Sequence, residues 1–267
     1  MKAFVLHAVG DLRYEDIDIP VFPGKDWAIV KVRAAGICSS DIPRVFTKGT
    51  YHFPTIPGHE FSGEVYRVAD EANASWIGTK VGVFPLIPCR ECTQCKERHY
   101  EMCEHYDYLG SRRDGGFAEY VINSVKTLCH VGDNVTDEEA TLIVTAGTAM
   151  YGLDTLGGLF AGQSLVVTGP GPIGLMAVAV AKTLGANPVI LTGTRDNRLE
   201  LGKKLGADYT INVRNENVVE KVKELTNGEG VHYVMECSGA PNAVNEAAAM
   251  VKRGGKVCLA AFPSKPV

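Results

Sequence analysis

The chain has 267 residues, 45% of them hydrophobic, and a formal net charge of −4. It is too long for one small domain and too apolar for a disordered or fibrous protein, so one large domain or two ordinary ones are expected. The slight acidity offers no basic face for nucleic acid or an anionic membrane, and neither is expected as a partner. The most apolar stretch, Leu165 to Leu184, is interrupted by Pro170, Pro172 and Lys182. It therefore falls short of the roughly 20 apolar residues that span a bilayer. Met1 to Gly10 lacks a signal-peptide layout, so a cytoplasmic location is expected.

The first part of the chain is rich in β-branched residues and interrupted by turns. Short strands are predicted at Lys2–Leu6, Ala28–Ala34, Gly63–Val68, Lys80–Phe84 and Phe117–Ile122, separated by Pro23-Gly24, Pro57-Gly58 and Gly115-Gly116. Such a series predicts a small barrel or sandwich. Two turn-rich segments between these strands carry metal-binding chemistry: Cys38 in Gly36-Ile-Cys38, and His59 with Glu60 in Pro57-Gly-His-Glu-Phe-Ser-Gly63. A thiolate, an imidazole and a carboxylate form a mixed set that Zn²⁺ accepts, and three protein ligands leave a position open for water or substrate. The competing reading is a buried thiol and a hydrogen-bonded histidine with no metal. His52, nearby in sequence, is either a pocket-lining residue or a surface one.

Four of the eight cysteines follow as Cys89-x2-Cys92-x2-Cys95-x7-Cys103. In a chain with no export signal, so tight a cluster reads as a metal site and not as disulfides. Four thiolates close a tetrahedral shell with no open position, which makes this a structural zinc. An iron–sulfur cluster or a redox pair are the rivals.

After about Gly162 the rhythm changes. Leu142 to Ala161 is expected to hold a joining helix. Beyond it, strands Ser164–Thr168, Pro188–Thr192, Asp208–Ile211, Val231–Glu236 and Lys256–Ala261 alternate with helices Pro172–Leu184, Arg195–Leu205, Glu216–Thr226 and Pro241–Lys252. That alternation predicts an α/β domain with a doubly wound parallel sheet and right-handed crossovers. Its first turn reads Gly169-Pro-Gly-Pro-Ile-Gly174, between a predicted strand and a predicted helix. Here Gly169 makes the turn, Gly171 admits a pyrophosphate and Gly174 packs helix on strand. Pro172 and Ile173 open the helix whose N-terminus would receive the phosphates. At the end of the second strand, where NAD binders carry an acid, the chain reads Gly193-Thr194-Arg195, with Arg198 further on. A glycine leaves room, Thr194 offers a hydroxyl and an arginine fork suits a 2′-phosphate, so NADP is expected over NAD. The alternative is that Arg195 and Arg198 are solvated helix residues. Cys237-Ser-Gly-Ala240 lies where ligands bind in such sheets, though turn chemistry would explain it equally well.

Together these motifs resemble the zinc-containing medium-chain alcohol dehydrogenase family over essentially the whole chain. Asp114-Gly-Gly-Phe-Ala-Glu-Tyr120 adds to the likeness. Ser39-Ser-Asp-Ile-Pro-Arg-Val-Phe46 and Leu109 to Tyr120 are similar to the sugar-alcohol branch, galactitol-1-phosphate dehydrogenase-like. The resemblance implies a GroES-like catalytic domain over 1–150 and a Rossmann domain over 151–267, C-terminally incomplete relative to the family. It implies two zinc ions, one catalytic on Cys38, His59 and Glu60 and one structural on the four cysteines. Ser40 would begin a proton relay, and Asp41 would support the metal site from behind its ligands. The activity implied is hydride transfer between NADP and a polyol, a sugar alcohol phosphate or a secondary alcohol, in a homo-oligomer (dimer or tetramer). The chain departs from the pattern at Val144 and Thr145, where relatives carry a glutamate or a cysteine, and at Pro43, where some carry a relay histidine. The alternative is a catalytically impaired protein that binds zinc and cofactor as a scaffold or redox sensor.

Overall fold

The computed structural model of the protein describes residues 1–158 and 161–262. The chain forms two compact units, Met1–Val144 and Thr145–Val267. The division falls within helix α4 (Ile143–Thr155), which occupies most of the predicted joining segment Leu142–Ala161. Positions 159 and 160 of that segment lie outside the described residues.

In the first unit the strands are β1 (Lys2–Ala8), β2 (Asp11–Asp16), β3 (Trp27–Gly36), β4 (Glu60–Val68), β5 (Lys80–Val83), β6 (Leu86–Ile87), β7 (Asp107–Tyr108), β8 (Tyr120–Ser124) and β9 (Leu128–His130). Its helices α1 (Asp41–Pro43), α2 (Thr93–Lys96) and α3 (Asp137–Ala140) are short. An antiparallel sheet runs in the order β8-β3-β4-β5-β9 and buries Ala28, Val30, Phe61, Val65, Val81 and Val121 on one side. This is the GroES-like architecture. Strand β2 was not foreseen, because Asp11-Leu-Arg-Tyr-Glu-Asp16 is a charged, largely exposed partner of β1 with little apolar alternation to betray it. The predicted strand Phe117–Ile122 is displaced toward Ser124. Its first residues instead serve β1, with Phe117 O accepting from Phe4 N–H at 2.8 Å.

The second unit holds β10 (Leu165–Thr168), β11 (Val189–Gly193), β12 (Tyr209–Asn212), β13 (Val231–Glu236) and β14 (Val251–Leu259). They alternate with α5 (Pro172–Thr183), α6 (Asp196–Lys204), α7 (Val218–Leu225) and α8 (Ala243–Met250). All pairings are parallel and the order is β12-β11-β10-β13-β14, the doubly wound order of a Rossmann domain. The two-residue side-chain period of the strands explains the layering. Leu165, Val167, Leu191 and Met235 enter one core with α5, while Val166, Ile190 and Val234 enter the other with α7 and α8. A strand buried on both faces needs an unbroken apolar run, and Leu165-Val-Val-Thr168 supplies it, buried throughout. The predicted helix Pro241–Lys252 is shorter than expected, since β14 already begins at Val251. There the register slips between Val231 and Tyr233, and Gly254 has φ +76°, so residues between Val251 and Lys256 bulge out of the ladder.

Candidate active site

In the first unit, β3 and β4 pair so that Gly36 stands opposite Glu60. Cys38 follows one strand end and His59 precedes the other, so the register brings a thiol, an imidazole and a carboxylate to one point. Ligand atoms of Cys38, His59 and Glu60 all lie within 4.8 Å of one another. The loop bearing His59 is fixed from beside it. Gly58 has φ +92°, and a Cβ there would lie 2.4 Å from the Phe117 ring. Gly116 N–H donates to Gly58 O at 2.9 Å, Phe117 N–H donates to Pro57 O at 3.0 Å, and Asp114 Oδ1 accepts from Ile56 N–H at 2.9 Å. The Asp114-Gly-Gly-Phe motif is thus the support of the His59 loop.

Asp41 organises the other side. It is 2% exposed, accepts from Cys38 N–H at 3.0 Å and pairs with Arg44 at 2.9 Å. Its Oδ1 lies 3.3 Å from His59 Nδ1, within attraction distance, yet the ring N–H is not aimed at it and Nδ1 is left buried without a hydrogen bond. Burial works against charge on His59, but Asp41 and then Cys38 outweigh it and raise its pKa to about 9. The Cys38 thiol is lowered, first by His59; burial opposes this and Ser40 adds to it. Ser40 precedes α1 and does not spend its hydroxyl on capping it, which leaves that hydroxyl against the Cys38 thiol. The ring of half-buried Tyr108 packs 5.7 Å from that of His59, and desolvation, with the nearby Cys38 charge, pushes its phenol up to about 12. Nothing in the local sequence around Tyr108 or Arg44 pointed to these contacts. His52 is explained as a staple, since its ring nitrogens lie 3.1 Å from Pro54 O and 3.1 Å from Arg112 O.

The four clustered cysteines, Cys89, Cys92, Cys95 and Cys103, also converge, with every sulfur within 4.8 Å of the others. Backbone N–H groups point at them: Cys89 N to Cys103 Sγ at 3.2 Å and Cys92 N to Cys89 Sγ at 3.4 Å. Glu104 and Cys95 N–H groups lower the Cys92 thiol to about 6, whereas burial raises that of Cys95.

In the second unit the glycine turn fulfils the expected geometry. Gly169 has φ +86°, and a Cβ on it would meet Ser238 at 2.8 Å. Gly171 faces open space and caps α5, whose first residues are Pro172 and Ile173. A Cβ on Gly174 would stand 2.1 Å from Gly169 O, so Gly174→Ala should displace the turn and weaken nicotinamide cofactor binding at least about tenfold. Titrating cofactor against intrinsic fluorescence checks this. Gly193 is buried, and its missing Cβ makes room for the Pro170 ring, 2.3 Å away. That differs from the expected purpose of leaving room for a phosphate. Arg198 Nη1 donates to Pro170 O at 3.3 Å, so Arg198 braces the turn and is not simply solvated. Thr194 and Arg195 are exposed at the start of α6, and among the described residues no carboxylate pairs with Arg195. Asp196, the neighbouring acid, accepts from Asn212 at 2.6 Å. Sequence reasoning missed Glu236, which is 1% exposed; its Oε1 accepts from Ser238 N–H at 2.6 Å, Gly239 N–H at 3.0 Å and Thr168 Oγ1 at 3.1 Å. It fixes the turn that faces Gly169.

A GroES-like unit with a mixed thiol–imidazole–carboxylate cluster, joined in one chain to a Rossmann unit, defines a nicotinamide-dependent oxidoreductase with a zinc-binding catalytic half. Comparison with known proteins agrees. A family model described as alcohol dehydrogenase GroES-like domain matches residues 24–133, and one described as zinc-binding dehydrogenase matches residues 172–267. The chain belongs to the zinc-containing medium-chain alcohol dehydrogenase family, whose members act on CH–OH groups. It is 35% identical over 271 residues to a sorbitol dehydrogenase of Bacillus subtilis, covering 99% of this chain and 76% of that protein. A galactitol-1-phosphate dehydrogenase structure from Escherichia coli superposes with a TM-score of 0.93 at 29% identity, covering 100% of this chain and 77% of the other. A structure from Sinorhizobium meliloti, described as a zinc-binding dehydrogenase bound to NADP, superposes at 0.92 with 30% identity and covers 100% and 78%. Among the described residues no helix is long and apolar enough to cross a membrane.

Proposed function

We propose that this protein is a cytoplasmic, homo-oligomeric NADP-dependent dehydrogenase of polyols, sugar alcohol phosphates or secondary alcohols. Its catalytic domain would cover about 1–150 and its cofactor domain about 151–267. One zinc would sit on Cys38, His59 and Glu60 and a second, structural one on the four clustered cysteines. The observation that carries the reading is the convergence of Cys38, His59 and Glu60, whose ligand atoms all lie within 4.8 Å of one another. The donor set fits the ion: thiolate, imidazole and carboxylate are all accepted by Zn²⁺, and a set of three leaves room for an oxygen ligand. Asp41 lies 3.3 Å from Nδ1, so a small turn of the ring would let the carboxylate orient the imidazole with Nε2 free for the cation. When bound, zinc supplies Lewis acidity toward an alcohol oxygen and the nicotinamide accepts the hydride.

The chain's own groups do the rest. Cys38, His59 and Glu60 hold the cation, and Asp41 and Arg44 hold Cys38 and His59 in place. Ser40 takes the hydroxyl proton at Oγ and, being exposed, passes it to solvent without a histidine at position 43. The turn Gly169 to Gly174 receives the pyrophosphate on the N–H groups at the start of α5. Thr194 and Arg195 take the 2′-phosphate. Keeping the cluster thiols reduced requires a compartment such as the cytoplasm. The scaffold alternative gains no support, because all three candidate zinc ligands converge and the relatives found are dehydrogenases.

Metal analysis combined with an alcohol screen in NADP and NAD tests the reading. Two zinc ions per chain and NADP-dependent oxidation are expected; one zinc and no turnover would sink it. Arg195→Ala should weaken NADPH at least about tenfold more than NADH, the cost of losing a charge-assisted phosphate contact. Gly193→Asp should weaken both cofactors rather than convert the preference, because its side chain would enter the space of Pro170. Paired NADPH and NADH titrations decide both points.

A further inference from the structure

Arg112 and Arg113 are adjacent arginines in opposite circumstances. Arg113 is neutralised, with Nε donating to Asp107 at 2.6 Å and its guanidinium 4.8 Å from the Trp27 ring. Arg112 pairs with no carboxylate among the described residues. Its guanidinium carbon lies 4.2 Å from the Tyr51 ring centre and 4.5 Å from that of Tyr106, and its Nε is buried without an acceptor. The rings hold the cation in place and the Tyr106 and Tyr51 hydroxyls also bond the guanidinium, yet neither meets Nε. A guanidinium fixed in this way, with no carboxylate beside it and a donor left over, is suited to an oxyanion through charge-assisted hydrogen bonds. Leaving a buried donor unmet is costly, and such a group calls for a ligand to meet it.

The position is close to the chemistry. Arg112 N–H donates to Tyr108 O at 2.9 Å, and the Tyr108 ring packs against His59. The carbonyls of Arg112 and Ser111 are tied to His52 at 3.1 Å and to Thr50 at 2.7 Å, so the turn is braced from the segment after α1. We propose that Arg112 is a specificity-determining residue that binds an oxyanion carried by the alcohol substrate, as in a polyol phosphate or a polyol carboxylate. This rests on the dehydrogenase reading above and names the class of alcohol.

Steady-state kinetics on the zinc-loaded full chain would compare galactitol 1-phosphate, galactonate and uncharged galactitol. The wild type should prefer one anionic substrate, and that substrate identifies the oxyanion. In Arg112→Gln the KM for it should rise about 10- to 100-fold more than the KM for galactitol, with Arg112→Lys recovering part of the loss. Equal KM changes for charged and uncharged alcohols, or no wild-type preference for either anion, would overturn the proposal. Absence of turnover with every alcohol would count against the dehydrogenase reading instead. A second readout stands apart from turnover: the Arg112 Nε–H resonance followed in titrations with inorganic phosphate and with acetate. A saturable shift with one of them, lost in Arg112→Gln, is expected; a flat response to both overturns the proposal.

Discussion

Cys38→Ala is expected to lower kcat/KM for any alcohol substrate at least about a thousandfold while NADPH binding survives. The Lewis acidity assigned to the site is worth several kcal/mol at the barrier, and each 1.36 kcal/mol is about a factor of ten in rate. Losing the thiolate removes one of the three candidate zinc ligands. The cofactor turn belongs to the other compact unit and should be untouched. Zinc content measured beside NADPH titration and kinetics separates the outcomes: one zinc lost, cofactor bound, turnover gone. Near-normal turnover in zinc-depleted Cys38→Ala would remove the metal from the mechanism. A Cys38→Ser control addresses packing, since it keeps the size of the side chain.

Cys95→Ser should cost one zinc per chain and lower Tm by about 5–10 °C, with alcohol oxidation impaired only as the fold loosens. The segment from Cys89 to His105 has almost no core of its own: among those residues only Cys95 and Cys103 are buried. Its regular structure is one four-residue helix and a short 3₁₀ turn, and Arg90 and Arg98 sit at φ +62° and +69°. A loop so irregular is ordered by whatever its sulfurs grip. Calorimetry with zinc counting measures this, and hydrogen exchange should place the lost protection in 89–105. Unchanged Tm with both zinc ions retained would show that the four thiols hold no structural metal.

Both regions announce themselves differently in the sequence. The cysteine loop and Gly169 to Gly174 were legible because their partners are close along the chain: a spacing of two between thiols, or a glycine pair around one turn, is itself the geometry. The alternating strands and helices of the second unit were equally plain, since buried parallel strands need continuous apolar runs. Strand β2 escaped because an exposed edge strand needs no such run, and the start of β14 escaped because a bulge carries no periodic signal. Tyr108 and Glu236 were invisible for a related reason: each matters through a contact with a residue distant in sequence, Tyr108 with His59 and Glu236 with Thr168.

The amino-acid sequence by itself determined the two architectures, the sulfur knuckle, the phosphate turn and the identities of the metal-binding candidates, because local spacing and side-chain period encode local form. Tertiary structure alone decided that Cys38 meets His59 and Glu60, through the pairing of Gly36 with Glu60 across two strands. It also decided that Gly193 serves Pro170, and that Arg113 is neutralised while Arg112 is not. Register and packing join residues that are remote along the chain, and composition or periodicity in one segment cannot state which distant atoms will fill its neighbourhood.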